Sequence, residues 1–434
     1  MSAKLPEGEP APSDGSLPTS TRAGLRWEHA REEGVQREEQ GQPADHFGVY
    51  VHVPYCATRC GYCDFNTYTL SELAAHAAPT GTVADIDSYL SAVLAEIELA
   101  SRVLGTKPEA RLPQIDTVFF GGGTPTLLPA SHLATILRRL DSVFGLASGA
   151  EVSTEANPES VDFSSLAALV DAGFTRISLG MQSAMPHVLA TLDRRHTPGR
   201  AVAAAAQARQ AGFTHVNVDL IYGAPTETDT DWLESLRTAV SAKPDHISAY
   251  ALTVEPGTRL ARQVRSGELT APDHDTLADR YLLAEQILGE AGMGWYEISN
   301  WARTSEDRCR HNQLYWRGGN WWGLGPGAHS HVGGVRWWNV KHPAAYASRL
   351  AGGSSPAQAR ELLTLRQRRD EDLMLRLRLV EGYPLHQLEA AGQDGAVLAV
   401  ADGLLRPDAY TAGRACLTLR GRLLADTVLA QLNP

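Results

Sequence analysis

Three of the five cysteines in this 434-residue chain fall within eight residues, as Cys56-x-x-x-Cys60-x-x-Cys63. Thiolates so spaced can wrap one face of a small inorganic centre, and cysteine thiolate is the usual protein ligand of iron–sulfur clusters. Three ligands on a [4Fe–4S] cube leave one iron without a protein ligand. An open iron binds something else, which points to chemistry rather than electron storage. Two other readings use the same residues. A structural zinc site takes four ligands in a closed tetrahedron; His52 could supply the fourth, although CxxxCxxC is not among the usual zinc spacings. A disulfide would leave one cysteine over, and nothing in the chain points to an oxidising compartment. Cys309 and Cys416, isolated in sequence, read as inert buried thiols.

A cysteine loop of this kind needs a rigid mount, and Val49, Val51 and Val53 alternate directly before it. Residues 48–53 therefore predict a strand. Similar apolar or β-branched runs recur at 117–120, 151–155, 176–180, 215–222 and 246–253. Helical periodicity separates them, with Ile86, Leu90, Val93, Leu94 and Ile97 spaced by threes and fours in the segment 84–103. Further helical segments fall at 160–172, 198–211, 229–241 and 275–291. Repeated strand–helix units with short connections predict a parallel sheet, either curled into a barrel or open and doubly wound.

The ends of these strands favour the barrel, whose C-terminal rim hosts the site. The second strand runs into Gly121-Gly122-Gly123-Thr124-Pro125, the third ends at Glu155, the fourth at Gln182, and the fifth carries Asp219 before a Tyr222-Gly223-Ala224-Pro225 turn. A lone glycine-rich turn is usually just a turn. Several polar strand ends in register with a cysteine loop converge on one cleft.

The stretch YVHVPYCATRCGYCDFNTY, with Tyr62 before the third cysteine, resembles the radical SAM superfamily. Within it, the chain resembles the branch of oxygen-independent coproporphyrinogen III oxidases and HemW-type heme chaperones. The resemblance spans about residues 47–434 and implies a partial (β/α)6 barrel. It also implies a [4Fe–4S] cluster on Cys56, Cys60 and Cys63. S-adenosylmethionine (SAM) would lie among Tyr50, Tyr62, Gly122, Gly123, Thr124, Glu155, Gln182, Arg194 and Asp219. Glycines let backbone approach such a ligand. Glu155 or Asp219 can accept from its ribose hydroxyls or ammonium, and Arg194 offers a fork for its carboxylate. SAM on the open iron, given one electron, would yield a 5′-deoxyadenosyl radical. The oxidases carry a further cysteine two residues past the third. Here that position is Phe65, and CDFNTY continues as in the chaperone branch.

Seven of the nine tryptophans lie in residues 295–340, with His311, His329 and His331. His311-Asn312-x-x-Tyr315-Trp316 matches an HNxxYW motif of the chaperone branch, and heme iron takes imidazole ligands, so His311 is the candidate heme ligand. Aromatic residues closing the open side of a partial barrel would look the same. The resemblance thus implies a carrier of heme to an apo-hemoprotein client, with respiratory, membrane-associated clients expected. The other reading is an enzyme that oxidatively decarboxylates coproporphyrinogen III.

Composition divides the chain further. Residues 1–44, rich in Pro, Glu, Gly and Ser, predict a disordered tail. Residues 45–300 would form the barrel and 301–360 an extension closing the site. Residues 361–434 resemble a winged-helix-like helical module, but from Arg360 onward ten arginines meet ten acids, so no basic face for DNA is expected. The net charge of −11 likewise argues against nucleic acid. No apolar run spans a membrane and no secretory leader is visible, which predicts a cytoplasmic protein.

Overall fold

Six parallel strands stand side by side in chain order: β1 Phe47–Val53, β2 Ile115–Gly122, β3 Leu146–Ala156, β4 Arg176–Gln182, β5 His215–Tyr222 and β6 His246–Ala251. The computed structural model describes residues 8–24, 46–75, 85–105, 112–194 and 197–434. Each expected strand is present, β5 with the bounds read from sequence. Helices return the chain between them, among them Ile86–Leu104, Phe163–Asp171, Arg200–Ala211 and Asp229–Ser241. Their apolar faces bury Val93, Ile97, Leu166, Ala204 and Leu236 at or near full burial, against strand residues such as Val51, Val118, Ile177 and Val216. Burying an aliphatic side chain of this kind contributes roughly 1.5–3 kcal/mol. The result is the partial (β/α)6 barrel expected.

The sheet does not stop at six strands. Beyond β6 it adds Asn300–Ala302 and then Gly294–Glu297, both antiparallel. Beyond β1 it adds Asn320–Leu324, parallel to β1, followed by the antiparallel strands His329–Val332, Val335–Asn339 and Ala357–Leu362. The aromatic segment therefore widens the sheet from both edges. Between these additions lies the short helix Arg310–Trp316. His311 bonds to Thr117, near the start of β2, and to Glu151, which stands opposite Thr117 in register on β3. This helix plugs the end of the barrel opposite the cysteine loop, where the sequence reading had it closing the site.

The expected N-terminal tail needs correction over its described part. Glu9–Pro10 pairs with Ala359 and Arg360 at the outer edge of the sheet, and Leu17 is buried in the main core. An open strand edge offers unpaired backbone groups, and even a polar segment can dock there without a core of its own. The rest of the expected tail lies outside the described residues.

Residues 365–432 form helices Leu365–Arg376, Ala390–Ala401 and Ala425–Leu432 around a separate core that includes Leu377, Ala396, Leu405 and Val428. A two-residue ladder, Tyr383–Pro384 against Arg414–Ala415, accompanies them. Val380 N–H donates to the Tyr296 carbonyl at 2.8 Å, and Arg308 meets Glu381 at 2.7 Å, which joins this module to the plugged end of the barrel.

Candidate functional site at the C-terminal rim

The cysteine loop is held by backbone bonds before any side chain is considered. Tyr55–Cys56 pairs with Tyr68–Thr69, Gly61 N–H donates to the Leu192 carbonyl at 3.1 Å, and Gly61 accepts from Leu260 N–H at 2.8 Å. The glycine-rich turn after β2 belongs to the same mount. Gly123 N–H donates to Val53 and Thr124 N–H to Tyr55, at 2.8 and 2.7 Å. A Cβ on Gly123 would lie 2.5 Å from the Tyr55 carbonyl oxygen, so this glycine is required by the loop's own backbone. Gly122, with φ +108°, would drive a Cβ into the His52 ring.

All five cysteines are free thiols. Cys56, Cys60 and Cys63 line a cavity of about 410 Å³ together with Tyr62, Gly122, Gly123, Thr124, Glu155, Gln182, Arg194 and Asp219. Tyr50 is the exception. It lines an adjoining cavity of about 600 Å³ inside the barrel, stacked on Phe119 with its hydroxyl 3.0 Å from His52 Nδ1. The two cavities share Gly122, Glu155, Ser178 and Asp219, so they are two ends of one space.

Two carboxylates set the charge of that space. Glu155 accepts from Gly122 N–H at 3.0 Å, and burial together with neighbouring Asp219 pushes its carboxyl up to about 7. Asp219 is also raised by burial, although Ser178 Oγ donates to it at 2.5 Å and Asn217 Nδ2 at 2.7 Å. Arg194 supplies the opposing charge, with Nη1 3.4 Å from Cys60 Sγ and Nη2 on the Gly180 carbonyl. Gln182 sits at a register shift in β4 with φ 66°. A non-glycine residue held there stores backbone strain, a feature that clusters at ligand sites.

The donor set fits a cluster better than a single ion. Among the described residues no three His, Cys, Asp or Glu side chains converge to hold one metal. A cube takes one thiolate on each of three irons, so its ligands need not meet at a point. His52 does not complete a zinc site, because Nδ1 faces the Tyr50 hydroxyl and Nε2 the Asn66 carbonyl at 2.9 Å.

His311 is likewise committed. It is 1% exposed, with Nδ1 2.8 Å from Thr117 Oγ1 and Nε2 2.8 Å from the Tyr315 hydroxyl; burial lowers its pKa to about 4. Both ring nitrogens are thus hydrogen-bonded within the protein, and the ring lines the barrel cavity. Cys309 and Cys416 are buried as expected. Sequence reasoning missed Asn217 on the same strand and Ser178 and Ser248 on the neighbouring ones, which orient Asp219, and Tyr250 at the mouth, 42% exposed. The available signal was position: Asn217 stands two residues before Asp219 on β5, and Ser248 stands opposite Asp219 in register on β6.

The Radical SAM superfamily model matches residues 50–239. "Heme chaperone HemW" of Mycobacterium tuberculosis (strain ATCC 25618 / H37Rv) is 54% identical over 392 residues, covering 90% of this chain and 95% of that protein. The chain belongs to the HemW family of radical SAM proteins. The Synechocystis relative of the same name is 35% identical, over 80% of this chain and 81% of its own. Among solved structures, coproporphyrinogen III oxidase (HemN) from Escherichia coli superposes with a TM-score of 0.74 over 90% of each chain at 22% identity, a likeness of fold. Among the described residues no helix is long and apolar enough to cross a membrane.

Proposed function

We propose that this chain binds a [4Fe–4S] cluster on Cys56, Cys60 and Cys63 with SAM beside it, and that it carries heme to apo-hemoproteins, respiratory ones among them. One observation carries the cofactor reading: the three thiols line one cavity with eight residues named for SAM from sequence. When bound, the cluster would supply an electron to the SAM sulfonium. The protein's own part is orientation and screening. Glu155 and Asp219 place negative potential where an ammonium or ribose would lie, Arg194 meets a carboxylate, and Tyr62 packs against the apolar group of Val188, Leu192 and Ile221. The heme reading is supported by the relatives named as heme chaperones.

One observation favours the enzyme reading. Arg176 Nη1 and Ser153 Oγ, both buried and without a hydrogen-bond partner among the described residues, lie in the wall of the 600 Å³ barrel cavity. Ser153 and Arg176 stand opposite each other in register on β3 and β4. Buried donors without partners are expensive, and a substrate oxygen would satisfy them. Anaerobic incubation of cluster-reconstituted protein with reductant, SAM and coproporphyrinogen III decides between the readings. Decarboxylated products at catalytic levels overturn the carrier reading; none from cluster-loaded protein, together with heme transfer to an apo-hemoprotein, supports it.

A further inference from the structure

The plug helix Arg310–Trp316 has two working faces. His311 and Tyr315 face the barrel cavity, while Arg310, Gln313, Leu314 and, just past the helix end, Arg317 line a second cavity of about 610 Å³. Its other walls are the N-terminal ends of β1 and β2, at His46, Asp116 and Thr117, and the C-terminal module, at Arg376, Leu379–Gly382, Arg414 and Cys416. A volume of this size is in the range of small-molecule and cofactor sites, about 300–1,000 Å³.

Charge separates this cavity from the other two. The SAM cavity is lined by Asp64, Glu155, Asp219 and Glu255 against Arg194, and the barrel cavity by Asp64, Glu155 and Asp219 against Arg176 and Lys341. The third has four arginines against two acids. Both acids are already engaged, Asp116 with His46 at 3.3 Å and Glu381 with Arg308 at 2.7 Å, although Glu381 Oε2 has no hydrogen-bond partner among the described residues. The hydrogen bonds of Arg310 and Arg414 go to backbone carbonyls: Asp116 and Gly149 for the first, Glu381 and Gly382 for the second. Positive charge held by neutral oxygens is left for a ligand anion. Leu314, Leu379 and Val380 supply apolar wall, and His46 and Cys416 bring side chains of types that bind iron.

We propose that this cavity, between the plug helix and the C-terminal module, binds heme through its two propionates, with Arg317 and Arg414 among the guanidinium partners. The inference rests on the heme-carrier reading and deepens it. Arg376 is paired with Asp372 at 3.4 Å; a ligand with two carboxylates and a flat apolar body matches the remaining guanidinium groups around aliphatic wall, and the acidic rim cavities do not.

Heme and its dimethyl ester, in which the propionate charges are removed, are titrated against full-length, cluster-reconstituted protein by heme absorbance. The same titrations are run on Arg317→Gln, Arg414→Gln and His311→Ala. Wild type is expected to prefer heme to the ester by about tenfold or more, as loss of a charge-assisted hydrogen bond predicts. Each arginine variant loses most of that preference with ester affinity unchanged, while His311→Ala keeps it. Arginine variants that retain the full preference, or a wild type that does not distinguish the ligands, overturn this site and leave the carrier reading intact. A folded, cluster-loaded wild type that binds neither ligand overturns both. Arg414 also ties the Glu381–Gly382 turn, so if Arg414→Gln fails to fold, Arg317→Gln decides.

Discussion

The two ends of the barrel are made by the same six strands and do different things with their charges. At the C-terminal rim, Glu155 and Asp219 are half-buried, have no salt-bridge partner among the described residues, and their carboxyls are raised. At the N-terminal end, Glu151 is buried and paired: Arg176 Nε donates to it at 2.9 Å, His311 N–H at 3.1 Å, and its carboxyl falls below the ordinary value despite burial. A paired buried charge fixes structure. Raised carboxyls that line a cavity are candidates for ligand contact.

That contrast can be broken by substitution. Replacing Cys56, Cys60 and Cys63 with alanine should abolish cluster iron and its visible absorbance while the unfolding midpoint of the metal-free protein stays put; retained iron would place the ligands elsewhere. Glu151→Gln should destabilise the fold by about 3–5 kcal/mol in denaturant titrations, as expected when one partner of a buried ion pair is removed. The opposite pattern is expected at the rim. Glu155→Gln should weaken SAM binding by roughly tenfold in calorimetry, the worth of a hydrogen bond to a charged group, with little loss of stability.

The same residue has a pH signature. Its folded value of about 7 lies above the ordinary 4.5, so between these values the native state holds a proton that the unfolded chain releases. Stability from this group is therefore full below about 4.5 and lost as pH rises towards 7. Glu155→Gln should flatten that part of the stability profile, and an unchanged slope would assign the proton to another buried acid. Thr117→Ala, which removes the 2.8 Å contact to His311, should be the mildest change, about 1 kcal/mol by the same denaturant titration.

The rim was legible in sequence because its signals are local. Three cysteines, a glycine run and polar strand ends need only the alternation of a parallel barrel to be brought together. Tyr50 was harder: it lies on the right strand, yet its ring turns to Phe119 and the barrel interior. The plug helix was misplaced for a further reason. An aromatic, histidine-bearing segment has the same pattern whichever end of a barrel it stops, and only long-range contacts such as Thr117 with His311, 194 residues apart, decide. The Glu9–Pro10 strand was invisible because its partner edge, not its own composition, makes it a strand.

That short strand also covers an edge. Arg360 reaches Glu9 at 2.6 Å and Ser355 N–H donates to the Ser13 carbonyl at 2.6 Å, so the outermost long strand, Ala357–Leu362, is covered in part by the chain's own beginning. Proline at position 10 has no amide hydrogen to extend the ladder. A chain shortened through residue 24 would present bare backbone beside Leu362, itself 44% exposed, and two such chains could pair edge to edge. Among the described residues Glu9–Pro10 is thus the end-stop of a 13-stranded sheet, laid over part of an edge that would otherwise offer unpaired backbone.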